Sequence, residues 1–217
     1  MHECRTAKTE DFVALKRMLE LYQYEISDMY DQDLDARGEY GYDLSRHIEG
    51  KRFFAHVVLV NERYAGFALV APAIVTQTDG YWMEQFFILK KYRRGNLGTA
   101  LAVHVFQSHP GPWEVGQMPA NTPAQAFWRR VISSITAGRY SEVQVTEGWW
   151  KGVVQRFSYA AAAEPLAQAE PQRHVALAIK RWACGPFCAC CPARHAVGAS
   201  LARTLGVKGR ILLVSPT

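Results

Sequence analysis

"FFILKKYRRGNLGTAL", residues 86–101, runs from an apolar stretch through a basic, glycine-containing turn into a second apolar stretch. The first stretch has the aromatic and β-branched character of a strand, and Leu97, Leu101 and Val105 beyond the turn recur at helical spacing. A turn leaving a strand and entering a helix exposes backbone N–H groups without intrahelical partners, and the helix dipole adds partial positive charge there. With Arg93 and Arg94 alongside, the turn is expected to cradle a phosphate-bearing ligand. It is neither G-x-x-x-x-G-K-[ST] nor G-x-G-x-x-G. Asn96 stands where glycine would be the easier choice. Asparagine suits that place either because it tolerates positive φ or because it favours a helix N-cap.

The flanking segments supply a sheet. "CRTAKTEDF" reads as a short strand ending in a helix start, with Thr9 as N-cap and Glu10 and Asp11 in the first turn. Leu15, Met18, Leu19, Tyr22 and Ile26 then share one helical stripe. Residues 28–43 are rich in acids and read as a mobile loop. "RFFAHVVLV" and "YAGFALVAPAI" form a hairpin about "NER", and "YWMEQFFIL" is the strand that enters the turn. The helix after the turn should stop at His109-Pro110. A strand at "WEVGQM", a capped helix at "PANTPAQAFWRRVI" and strands at "SEVQV" and "WWKGVVQRFSYA" complete the series. This order predicts an α/β fold whose single sheet has parallel and antiparallel neighbours and is flanked by helices.

Composition divides the chain near Tyr159. Of 25 Lys/Arg and 20 Asp/Glu, residues 161–217 hold seven and two, so the net charge of +5 belongs to that tail. The pI near 9.0 is therefore no argument that the main domain binds nucleic acid. Residues 160–217 read as an Ala/Pro/Gln linker followed by a basic tail containing Cys184, Cys188, Cys190 and Cys191. These cysteines and His195 include zinc-ligand types, but their spacing does not match paired knuckles, and no metal is expected. Few aromatics accompany the tail's charge, so nucleic acid is not the expected partner either. No run of about 18 apolar residues is present, and the first residues lack a signal-peptide core. A soluble, cytoplasmic protein without membrane contact is expected.

Two motifs in order narrow the reading. "FFILKKYRRGNLGTAL" resembles the acetyl-CoA motif of the GNAT N-acetyltransferase superfamily, Q/R-x-x-G-x-G/A, with Arg93 first, Asn96 at the middle glycine and Gly98 last. Downstream, "NTPAQAFW" resembles the family's N-x-x-A-x-x-F-Y helix, with Asn121, Ala124 and Phe127 in place and Trp128 where tyrosine usually stands. The resemblance covers residues 3–159, so residues 1–159 are expected to form a GNAT domain with a mostly antiparallel sheet of six to seven strands. It implies transfer of an acetyl group from acetyl-CoA to a primary amine of a small molecule or peptide. In this family the strand backbone at Phe86, Phe87 and Ile88 would hold the pantetheine arm and help polarise the thioester carbonyl. Arg93, Arg94, Gly95, Asn96, Leu97, Gly98 and Thr99 would cradle the pyrophosphate. Asn121 would cap its helix and touch the cofactor, and Trp128 would line the pantetheine channel.

The remaining chemistry is less specific. Glu84, two residues before Phe86, is the candidate general base; the alternative is a polar residue on a half-exposed strand. Trp128 donates a hydrogen bond but has no proton for the leaving thiolate, so that acid must be another group, with Tyr140 one candidate, or water. The loss also motivates a rival reading, a non-catalytic acyl-CoA-binding or regulatory module. His104 and His56 read as packed core histidines. The acidic segment 28–43 suggests a cationic acceptor, against the alternative of a solvated loop. It is not a calcium-binding loop, because Ala36 and Tyr42 occupy the positions that need glycine and glutamate. A homo-oligomer is compatible with all of this.

Overall fold

The structure is a computed structural model that describes residues 1–73, 75–77 and 79–160. Its elements are β1 (His2–Thr6), α1 (Phe12–Tyr30), α2 (Ser45–Glu49), β2 (Phe54–Val60), β3 (Arg63–Pro72), β4 (Tyr81–Ile88), α3 (Leu97–Ser108), β5 (Gly111–Gln117), α4 (Thr122–Thr136), β6 (Ser141–Val145) and β7 (Gly152–Tyr159). The seven strands form one sheet in the order β1-β2-β3-β4-β5-β7-β6. All neighbours are antiparallel except β4 and β5, which are parallel. The mixed, mostly antiparallel sheet flanked by helices expected from the sequence is the fold observed. Among the described residues no helix is long and apolar enough to cross a membrane.

Strand alternation sorts the core onto two faces. On β2, Ala55, Val57 and Leu59 join Leu15, Met18 and Leu19 of α1, whereas Val58 joins the cluster built on α3 and α4. On β3, Phe67 and Leu69 face α1, while Ala68 and Val70 face the other pair of helices. The β2–β3 turn is closed by Asn61 and Glu62, both at positive φ, the combination that suits a two-residue hairpin.

The sheet parts in its middle. β4 and β5 are paired only at Tyr81↔Trp113 and Trp82↔Glu114, while β5 continues its pairing with β7 as far as Gln117↔Val153. The second half of β4 is therefore bonded to β3 alone. On that side Leu69 pairs with Gln85 and Val70 with Met83, which leaves Glu84 as the extra residue of a bulge. A wedge opens between β4 and β5 immediately beyond Trp82. It is bounded by the bulge on one side and by the turns into α3 and α4 on the other.

Two local expectations change. Thr9 does not cap α1 with its side chain; residues Thr9–Asp11 form a 3-10 turn, and Asp11 Oδ2 accepts from Lys8 N at 2.6 Å. Asp11 is buried because Arg5 reaches it with two bonds, 2.6 and 2.9 Å, and Tyr64 Oη donates to it at 2.6 Å. The acidic segment is shorter and better tied than a mobile loop. α1 takes its residues through Tyr30, Glu20 accepts from the Tyr40 and Gly41 amides, and Asp35 accepts from the Arg37 and Glu39 amides. The expected linker and cysteine-containing tail lie outside the described residues.

Candidate active site

The turn between β4 and α3 is built on positive φ. Arg94 has φ 68° and Asn96 has φ 62° and ψ 5°, while the Asn96 side chain makes no capping bond. Of the two reasons for asparagine here, left-handed tolerance is the one used. The first backbone bond of α3 runs from Ala100 N to Asn96 O, 3.1 Å. Among the described residues, the N–H groups from Arg94 to Thr99 have no protein acceptor. At Gly95 an added Cβ would meet nothing within 4 Å, so the turn presents bare backbone to solvent. At Gly98 it would come within 3.3 Å of the Phe127 ring, so glycine lets α3 close against α4.

The two arginines of the turn are used differently. Arg93 Nε donates to Ile88 O at 2.7 Å and its guanidinium pairs with Glu25 of α1, the shortest contact 2.7 Å. It lies 5.5 Å from the Phe87 ring centroid as well. Its side chain thus ties the turn to α1. Arg94 is exposed and has no ion-pair partner among the described residues, so its charge is available at the cradle.

On β4, Phe86 and Phe87 diverge. Phe87 packs toward α1 beside Tyr22 and Phe67, at 5.6 and 5.8 Å between centroids. Phe86 faces α4, 4.8 Å from Trp128 and 5.8 Å from Phe127. Trp128 is only 5 % exposed and also packs against Phe106, so it is a structural wall of the wedge. Asn121 opens α4, its Oδ1 accepting from Ala124 N at 3.1 Å. Phe86, Gly98 and Trp128 are thereby brought together. Asn121 sits at the head of the same helix.

Glu84 lies across the bulge from that wall. Its Oε1 accepts from Arg46 at 3.1 Å, and its Oε2 is 3.0 Å from His47 Nε2 without the alignment of a hydrogen bond. His47 is buried, and neither of its ring nitrogens has a hydrogen-bond partner among the described residues. Burial holds the neighbouring Tyr42 phenol in its protonated form, with the Glu84 charge adding to the effect. Arg46, His47 and Tyr42 were not candidates from sequence. The five-residue α2 is too short for periodicity to reveal, and only the bulge brings it against β4.

A second group of titratable side chains is built into the core behind α3. His56 Nδ1 stands 3.4 Å from His104 Nε2, and His56 Nε2 stands 2.9 Å from His109 Nε2. Burial, reinforced by the other two imidazoles, pushes the His56 pKa down to about 3. Among the described residues no group of three or more His, Cys, Asp or Glu is arranged to hold a metal ion.

The fold has counterparts in known proteins. The structure is similar to PaiA N-acetyltransferase of Thermoplasma acidophilum in complex with coenzyme A (TM-score 0.51, 12% identity, 73% of this chain and 99% of that one). It is similar to a GNAT-family acetyltransferase of Staphylococcus aureus Mu50 (TM-score 0.50, 12% identity, 74% and 100%). It is also similar to the ribosomal-protein-S18-alanine N-acetyltransferase of Escherichia coli (TM-score 0.50, 16% identity, 76% and 99%). At these identities the likeness speaks for the fold. No curated protein sequence matches the chain. The sequence profile of the acetyltransferase (GNAT) family matches residues 18–132, more than half of the chain, and that span holds β4, the turn and most of α4. On fold and sequence together, the chain belongs to the GNAT acetyltransferase family.

Proposed function

We propose that the chain transfers the acetyl group of acetyl-CoA to a primary amine of a small molecule or peptide. The observation that carries this reading is the run of unpartnered N–H groups from Arg94 to Thr99, placed beside the unpaired edge of β4. The donors suit a pyrophosphate, and Arg94 adds an exposed side-chain charge that has no ion-pair partner among the described residues. The β4 edge beyond Trp82 retains backbone groups able to pair with an amide-bearing arm, while Phe86 and Trp128 supply an apolar wall. Acetyl-CoA would supply an activated acetyl group, its C–S bond breaking as the amide C–N bond forms and the thiol leaving with the proton the amine gives up. Glu84, whose side chain is partly exposed, is the carboxylate that would take the amine proton, its Oε2 being buried against His47. Arg46 and His47 orient that carboxylate from α2.

Trp128 favours a second reading, an acyl-CoA-binding module without turnover, because the indole at this position has no proton to give a thiolate. The test separates the two. Acetyl-CoA at about 100 times its dissociation constant should stabilise the protein by about 2.7 kcal/mol under either reading. Free thiol released in the presence of an amine panel is expected only for the enzyme. A folded sample with no thermal shift would overturn both.

A further inference from the structure

The face of β4 that carries Glu84 continues into an aromatic cluster built from β3, β4, β7 and the loop before β7. Trp82 of β4 is buried, and the loop between β6 and β7 lays Trp150 and Trp149 against it, at 5.3 and 6.2 Å between ring centroids. The space for them is made on β5. A Cβ at Gly116 would collide with Trp82 and come within 2.9 Å of Trp150, so glycine there is what admits the stack. Trp149 nevertheless remains 53 % exposed, and the buried Trp150 Nε1 finds no acceptor among the described residues. A tryptophan packed on its neighbours along one side and left open on the other offers a large flat contact area.

The cluster adjoins the candidate base. Phe53 packs in the group with Trp82 and Trp150. Its ring also lies 4.6 Å beneath the Arg46 guanidinium and 5.5 Å from His47, the two side chains that hold Glu84. Trp82 and Glu84 are further linked through β4 itself, at the point where the sheet opens. The Glu84 carboxylate lies on the same face, its side chain 16% exposed; Oε1 accepts from Arg46 and Oε2 is buried against His47, so a ligand on Trp149 and Trp150 meets this carboxylate at its open, Oε1 side. Asp35 and Asp43 are spent on neighbouring amides and Glu39 on Lys16.

We propose that the acceptor is a small aralkyl monoamine, its aromatic ring seated on Trp149 and Trp150 and its nitrogen directed to Glu84. The inference rests on the acetyl-transfer reading for its chemistry but not for its binding. A ring-bearing monoamine satisfies both features of the face, the exposed Trp149 indole and the Glu84 carboxylate. A polyamine would leave the indoles bare, and a plain alkylamine would gain little from them.

The experiment has two arms on the full chain. In the first, phenethylamine, butylamine and spermidine are titrated without acetyl-CoA and binding is followed by saturation-transfer NMR of ligand protons. Phenethylamine should bind at least about tenfold tighter than butylamine. Trp149→Ala should abolish that preference and Trp149→Phe should keep most of it, with melting curves confirming that both variants fold. In the second arm kcat/KM is measured with acetyl-CoA for the same amines and for a short peptide with a free N-terminus. The phenethylamine-to-butylamine ratio should again exceed about ten and fall toward one in Trp149→Ala. Ring-selective binding without turnover keeps the platform and removes the transferase reading. Turnover that favours spermidine, butylamine or the peptide, or a ring preference that survives Trp149→Ala, overturns the platform and leaves the transferase reading standing.

Discussion

The Phe86 ring centroid stands 4.8 Å from that of Trp128, at an interplanar angle of 67°. This edge-to-face pair joins the unpaired half of β4 to α4, and it sets the wall of the wedge by packing alone. Trp128→Ala should therefore cost about 3–5 kcal/mol of stability, read from denaturant unfolding. Trp128→Phe keeps an aromatic wall and should cost about 1 kcal/mol with kcat nearly unchanged. A fall in kcat of about a hundredfold in the phenylalanine variant, with the protein folded, would instead give the indole N–H a direct part in the reaction.

Arg93 and Arg94 should separate cleanly despite being neighbours. Arg94 is exposed and without an ion-pair partner among the described residues, so Arg94→Ala should weaken coenzyme A binding about tenfold, and the remaining affinity should depend less on salt. Arg93 is tied to Glu25 and to Ile88 O. Its removal should lower stability by about 1–2 kcal/mol, and in a double-mutant cycle the loss should be shared with Glu25→Ala. Calorimetric titration of coenzyme A and thermal melts of the same variants check both halves. Equal losses of affinity in the two would mean that Arg93 leaves Glu25 to meet the ligand.

How much of this was legible in the sequence depends on the range over which each feature is encoded. The strands, α1, α3 and α4 were readable because Leu15 to Ile26, Leu97 to Val105 and the alternation in β2 and β3 repeat over many residues. The cradle was readable because its residues are consecutive. In the sequence Asn96 is compatible with two backbone states, since a single asparagine fits both, and φ 62° selects one. Nothing local could show that Arg93 turns back to Glu25, or that Glu84 is the extra residue of a bulge. Those are consequences of α1 packing beside the turn and of a register shift against β3. The His56 cluster was likewise invisible as a cluster, because residues 56, 104 and 109 meet only when α3 lies on β2.

The left-handed backbone at Asn96 yields a stability prediction that is independent of turnover. Asn96→Gly should be neutral or slightly stabilising, because glycine adopts φ 62° without steric cost. Asn96→Ala should lose about 1 kcal/mol, since its Cβ meets the following carbonyl in that conformation. Coenzyme A affinity should be retained in the glycine variant and reduced in the alanine variant, where relaxation of the strain moves the N–H groups of the turn. Chemical unfolding and calorimetry of the two proteins decide it; an alanine variant as stable as the wild type would mean that the turn does not require positive φ there.

The histidine cluster predicts how the fold responds to acid. In the unfolded chain a histidine takes up its proton near pH 6.5, whereas buried His56 resists until about pH 3. Between those values the unfolded state binds more protons, so stability is complete above about pH 6.5 and declines as pH falls through the window. His104 and His109 are shifted downward by burial too and add to the same slope. His56→Gln retains a donor and an acceptor for the two neighbouring imidazoles but cannot titrate. The drop in Tm between about pH 7.5 and about pH 5 should therefore be visibly smaller in the glutamine variant than in the wild type. Superimposable Tm–pH curves for the two proteins would place the acid sensitivity elsewhere. The carboxylate bound by Arg5 and Tyr64 is not a source in that window, because Asp11 is held well below the usual range and its contribution is lost only as pH falls below about 4.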